Sequence, residues 1–279
     1  MRPSERLTIA AALLLSALIA VVRPHGGGPR LAACLGLAAA TMLLAKARPS
    51  GRAALVRDWL PVAGVVLVFL LLQPIIEATV PWRLDAALAA LDARYLSWLV
   101  GAWRGAFGRP AAFTDAVYLA YVSYYFLPIT VAAAARLHGA EAFERTAFGL
   151  LLGFYLTFLG YILLPASGPR LTREAEASVL GGGAVSEAVR GFLHVAEATT
   201  LDAFPSGHVA IALISAALGS AVLGRTAAAT VWLWALAIVF ATVYISVHYA
   251  VDVVAGLVLG VAVLRACPRP SRPRQTRAA

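Results

Sequence analysis

The chain has 279 residues, 61% hydrophobic and only 13% charged, with a mean hydropathy of +0.81. Soluble domains are about 45–50% apolar and about 25% charged, so a soluble or singly anchored protein is excluded. The formal charge of +9 is almost all arginine, Lys46 being the only lysine; the arginines lie in short loops and the tail, which fits membrane topology rather than a nucleic-acid partner.

A spanning helix needs about 20 apolar residues. Eight segments qualify as candidates: 7–22, 31–45, 60–80, 115–135, 143–164, 206–223, 226–247 and 250–265. The expected fold class is therefore all-α, a polytopic membrane protein of about eight transmembrane helices. The first two segments are short and call for tilt or local thinning. The start "MRPSER" fits a signal peptide, but "ALIAVVRPHGG" lacks an A-x-A site, so 7–22 reads as a retained helix. With the N-terminus inside, fourteen Lys and Arg fall on the cytoplasmic side and nine on the other. Residues 266–279 form a basic tail suited to an anionic lipid surface.

Two long connections lie on the outer side in this topology. In 81–114, Leu84, Leu88, Leu91, Tyr95, Leu96 and Leu99 share a helical face, interrupted by Asp85, Asp92, Arg94 and Arg104. That reads as interfacial helices. The second, 165–205, holds a Gly triplet at 181–183 and a short helix over 186–198 that Ser186 could cap. Between the two, Tyr118, Tyr121 and Tyr125 form a stripe at i, i+3, i+7, as packing or as the lining of a lipid groove. Cys34 and Cys267 imply no disulfide framework, and no Cys/His cluster has zinc spacing.

Three pieces with chemistry meet at one expected depth: "LLPASGPRLT" (163–172), "FPSGH" (204–208) and "HYAVD" (248–252). His248 and Asp252 are four apart, and a carboxylate beside a histidine fixes its tautomer and makes the other nitrogen a better nucleophile. The plain alternative is a pair that only caps a helix. Ser206 and Gly207 open a helix, where free N–H groups and the dipole favour an anion, and Gly207 admits close approach. His208, in the first turn, is placed to protonate a leaving oxygen; the plain alternative is a Ser-capped helix with an interfacial histidine. Arg170 is a bidentate phosphate ligand or, more simply, a topology-setting arginine. Pro165, Gly168 and Pro169 end the preceding helix sharply. Together these groups make a site for phosphate chemistry that is complete without a metal or cofactor.

These residues resemble the type-2 phosphatidic acid phosphatase superfamily, in which "PSGH" matches the second signature and "HYAVD" the end of the third. "VHYAVDVVAG" and the stretch from "PWRLDAALAALDARYLSWLV" to "TDAVYLAYVSYYFLPI" look most like the inositol phosphorylceramide synthase and sphingomyelin synthase branch. The resemblance implies His248 as nucleophile of a phosphohistidine, Asp252 as its orienter, His208 as acid, and Arg170, Ser206 and Gly207 as phosphate ligands. It implies three regions: a two-helix extension (1–59), a six-helix core (60–265) and the tail. Two cations of the family pattern are missing: no Lys stands in the stretch leading to Arg170, around Leu163, and Thr242 stands where an Arg is usual. Arg173 and Arg190 are candidate substitutes. The expected function is a metal-independent lipid phosphatase or phosphotransferase, with a lipid phosphate or phospholipid as substrate. The expected location is a bacterial cytoplasmic membrane, with the site on the outer side. The alternative is a non-catalytic or transport-type protein of the same fold; a haloperoxidase is disfavoured because those are typically soluble.

Overall fold

The computed structural model describes residues 1–169, 181–196 and 199–268. Twelve α-helices follow one another in these residues. They are α1 (Pro3–Val22), α2 (Gly27–Ala47), α3 (Gly51–Thr79), α4 (Asp85–Tyr95), α5 (Ser97–Phe107) and α6 (Ala111–Val122). After a 3-10 turn at Ser123–Tyr125 come α7 (Leu127–Leu137), α8 (Ala140–Leu163), α9 (Ala184–Ala196), α10 (Gly207–Ser220), α11 (Arg225–Tyr244) and α12 (Ala250–Ala266). The protein is an all-α, multi-pass membrane protein.

The spans are less uniform than eight equal crossings. Among the described residues α1, α2, α3, α8 and α11 are long and apolar enough to cross, and α6 with α7 makes a sixth span bent by 49°. The bend has a local cause. Pro128 cannot donate to the carbonyl one turn back, so the helix breaks there. Trp234 braces the break by donating to Ser123 Oγ at 2.6 Å, and Ser123 donates to the Ala120 carbonyl at 2.6 Å.

The expected span at 206–223 is a helix of only 14 residues, about 21 Å long. It need not match the bilayer because protein surrounds it. α7, α8, α11 and α12 pack around α10, and Ile211 and Ile214 are fully buried. Apolar contact alone does not drive helices together in lipid, so close approach decides the packing. Gly149 and Gly153 of α8 receive Leu218 and Ile214, while Gly256 and Gly260 of α12 lie against Ser206 and Ala210.

At the opposite end of α8, polar contacts tie α1, α3, α7 and α8 together. Arg2 and Arg136 both pair with Asp58, the latter at 2.8 Å. Arg57 pairs with Glu5 at 2.6 Å, and Ser4 donates to Glu144 at 2.7 Å from both its backbone N and its hydroxyl. The topology count put Arg2, Arg57 and Arg136 on one side, and they meet at one end here.

The first long connection does hold two helices, α4 and α5, but the buried face of α4 differs from the expected one. Leu88 is buried, whereas Leu91 and Tyr95 are exposed. The inward positions include Asp92, 2% exposed. Asp85 and Asp92 set this rotation because backbone amides beneath α4 need acceptors. Ser186 is likewise not a simple cap. It is the third residue of α9, in the first turn, where Asp115 of α6 accepts from its hydroxyl, from its N at 2.9 Å and from Gly183 N at 2.8 Å.

Candidate active site

Helix α4 gathers the site. Asp85 and Asp92 are seven residues apart and so share a face. Asp85 accepts from Ser167 N (3.0 Å) and Gly168 N (2.9 Å), holding the chain that leaves α8. Asp92 Oδ1 accepts from Ala250 N at 2.7 Å, the first residue of α12. Leu84 donates its N–H to the Pro165 carbonyl, and Ala203 donates its own to Ala166. Leu88, Ala166, Ala203 and Tyr249 form one small apolar cluster under α4. Three segments distant in sequence are thereby fixed against one another.

The turn between α11 and α12 presents His248. Ser246 adopts the left-handed conformation (φ 57°), and the N–H groups of Val247 and His248 both reach the Thr242 carbonyl at 3.1 Å. Thr242, at the position where the family pattern has a cation, anchors this turn through its backbone. His248 therefore precedes α12, while Asp252 lies in its first turn. Asp252 Oδ2 accepts from Tyr249 N at 2.9 Å and lies 3.5 Å from His248 Nδ1. His248 is 3% exposed and Asp252 fully buried. The carboxylate faces Nδ1, leaving Nε2 to point away.

Nε2 points at His208. The two histidines approach at 3.5 Å, Nε2 to Nδ1, with ring centroids 5.6 Å apart. His208 lies in the first turn of α10, as its sequence position predicts. Ser206 is the N-cap, its hydroxyl accepting from Val209 N at 3.4 Å, and its own N donates to the Asp252 carbonyl at 3.2 Å. So α10 and α12 start at one point, and Ser206, His208, His248 and Asp252 are brought together. Gly207 is required by packing at least, since a Cβ there would lie 2.5 Å from Tyr161 Oη and 3.0 Å from Thr157 Cγ2.

Some site residues carried no clear signal in the sequence. His208 stacks on Tyr121 (4.5 Å, 22° between planes) and packs against Tyr124 (4.1 Å, 40°). The tyrosine stripe was visible as a helical period, but Tyr124 lies off it and is turned inward by the 3-10 segment. Asp202, six residues before His208, shares with both histidines a space of about 10 Å³; no spacing rule marks it. Asp92 was visible only as a break in an apolar face.

Arg170 and Arg173 lie outside the described residues. Arg190 is on α9, its guanidinium 5.3 Å above the Tyr118 ring and donating to the Gly181 carbonyl at 3.3 Å. Tyr118 is one turn from Tyr121, which stacks on His208. Among the described residues no three His, Cys, Asp or Glu side chains gather as a metal-binding group.

A family model described as the PAP2 superfamily matches residues 86–266, from α4 through α12. Comparison with curated proteins and with solved structures returned no match. The match takes in all of α4 but Asp85, and both histidine segments, and it covers well over half of the sequence: this chain belongs to the PAP2 superfamily.

Proposed function

We propose that the protein cleaves or transfers the phosphate group of a membrane lipid through a phosphohistidine on His248. Membership of the superfamily supports phosphatase or phosphotransferase chemistry in general. The observation that carries the finer reading is the facing of two histidines, one backed by a buried carboxylate, at two helix starts.

Asp252 favours the tautomer with the proton on Nδ1, so the lone pair on Nε2 of His248 attacks phosphorus once the contact with His208 opens. The N–P bond forms as the P–O bond to the lipid alcohol breaks. His208 supplies a proton to the departing oxygen and later takes one from the incoming acceptor. With water as acceptor the result is a phosphatase; with an alcohol it is a transferase, as in the synthase branch that "VHYAVDVVAG" resembles. Arg170, the start of α10 and Ser206 are the groups proposed to hold the phosphate oxygens. The space between the histidines is on the scale of a single water, so substrate binding moves the two rings apart. The reaction needs no metal in this reading, and the site opens on the outer face of a bacterial cytoplasmic membrane.

The test is turnover of phosphatidic acid and phospholipids in nanodiscs, with and without inositol and ceramide acceptors, and products read by mass spectrometry. His248→Ala and Asp252→Asn are expected to lower turnover at least about a hundredfold. Unchanged turnover in both would refute the assignment, and an inactive wild type would favour the non-catalytic or transport-type alternative.

A further inference from the structure

A groove of about 500 Å³ runs down the outside of α8 from His208. α3 and α7 pack on either side of α8 rather than on each other, and so leave its outer face as a floor. That floor is buried, with Leu151 at 1% and Phe158 at 6% exposed. The lips face outward: Val66 and Leu70 on α3 are 60% and 53% exposed, and Ile129 on α7 is 50% exposed. The groove is polar only near the site, where Asp202, Thr157 and His208 line it, and apolar below. At the far end the lining includes Trp59, which packs on Phe143 with ring centroids 5.5 Å apart.

Its length can be read from the helices. Trp59 to Leu70 on α3 and Leu150 to Tyr161 on α8 both cover eleven residue steps, about 16 Å. Half of a hydrocarbon core of about 30 Å is about 15 Å, the depth reached by one lipid tail. The groove thus has the length of one tail, opens sideways where tails are, and ends at the histidine proposed to protonate the leaving oxygen.

We infer that this groove seats one alkyl tail of the phosphorylated substrate, with Trp59 as the stop that sets preferred tail length. The inference rests on the lipid-phosphate reading. It gives α3, which lies outside the matched residues 86–266, a role in substrate choice. A tail already dissolved in lipid gains little hydrophobic energy by entering. The groove acts instead by orientation, fixing the phosphate against the histidines.

Two readouts test it on the full-length protein. Hexyl, decyl, tetradecyl and octadecyl phosphates are compared by kcat/KM. Val66→Trp and Ile129→Trp, one on each lip, are expected to lower the tetradecyl-to-hexyl ratio about tenfold. Trp59→Ala is expected to shift the optimum to a longer tail. Separately, an alkyl phosphate with a mid-tail diazirine is photolysed in nanodiscs and its adducts are mapped. Adducts on Val66, Phe69, Leu151 and Phe154, lost in Val66→Trp, support the groove even if the wild type releases no phosphate; that result would reject the reaction alone. Adducts spread evenly over outward residues such as Leu233 and Leu236 of α11 would overturn the inference, as would an unchanged ratio in both lip variants.

Discussion

Asp92 offers the sharpest test of how the site is assembled. Its Oδ1 accepts from Ala250 N at 2.7 Å, and both residues are 2% exposed. Asp92→Ala leaves a buried N–H without that acceptor at the start of α12. A hydrogen bond to a charged group contributes about 1.5–3 kcal/mol net, and the stranded amide costs about 1–3 kcal/mol in desolvation; these overlap, so a loss of about 2 kcal/mol is expected. The turn carrying His248 and Asp252 is the part released. A displacement near 1 Å of a reacting group can cost up to about a hundredfold, so a kcat/KM loss of at least tenfold is expected. Thermal unfolding in detergent and lipid-phosphate turnover are the paired assays. Asp92→Asn keeps an oxygen acceptor in place and should recover most of the stability. If Asp92→Ala matches wild type in both assays, or Asn is as damaging as Ala, α4 does not hold the site as described.

Other outcomes follow from the same geometry. Gly256→Ala puts a Cβ 2.5 Å from the Ser206 backbone oxygen, which cannot swing aside. It should destabilise by about 1–3 kcal/mol and slow turnover by parting α12 from α10; wild-type stability and rate would contradict this. Gly207→Ala should cost less in a Tyr161→Phe background, because the clashing Oη is gone; equal costs in a double-mutant cycle would show that the packing reason is wrong. Turnover should survive EDTA; loss restored by magnesium would reveal a metal requirement.

Six of the eight expected spans were legible because apolar runs of spanning length have few other uses, whereas 206–223 and 250–265 are helices of 14 and 17 residues and do not qualify as spans. The α10 start was legible too, since Ser206 and Gly207 are a local cap signal and His208 must follow one step on. The pairing of His248 with Asp252 followed from spacing, although His248 sits in the turn after the left-handed Ser246, before α12 rather than on its face. What was illegible depends on contacts between distant segments. Asp85 and Asp92 read as interruptions of an amphipathic face, yet their partners are amides some eighty and more than a hundred residues away. Pro128 marks a break in the span, but the brace beside it comes from Trp234 of another helix. Of the groove the sequence offered only the tyrosine stripe, of which Tyr125 lines it; its walls could not be read, because they exist only where α3 and α7 stop short of each other.

If phosphate passes through His248, a covalent phosphohistidine exists during turnover and can be trapped. The most direct measurement is rapid quenching of the enzyme under alkaline conditions during turnover of a labelled lipid phosphate, followed by peptide mapping. Acid-labile label is expected on His248, absent in His248→Ala and longer-lived when acceptor is withheld. Label on another residue, or undiminished turnover by His248→Ala, would contradict it.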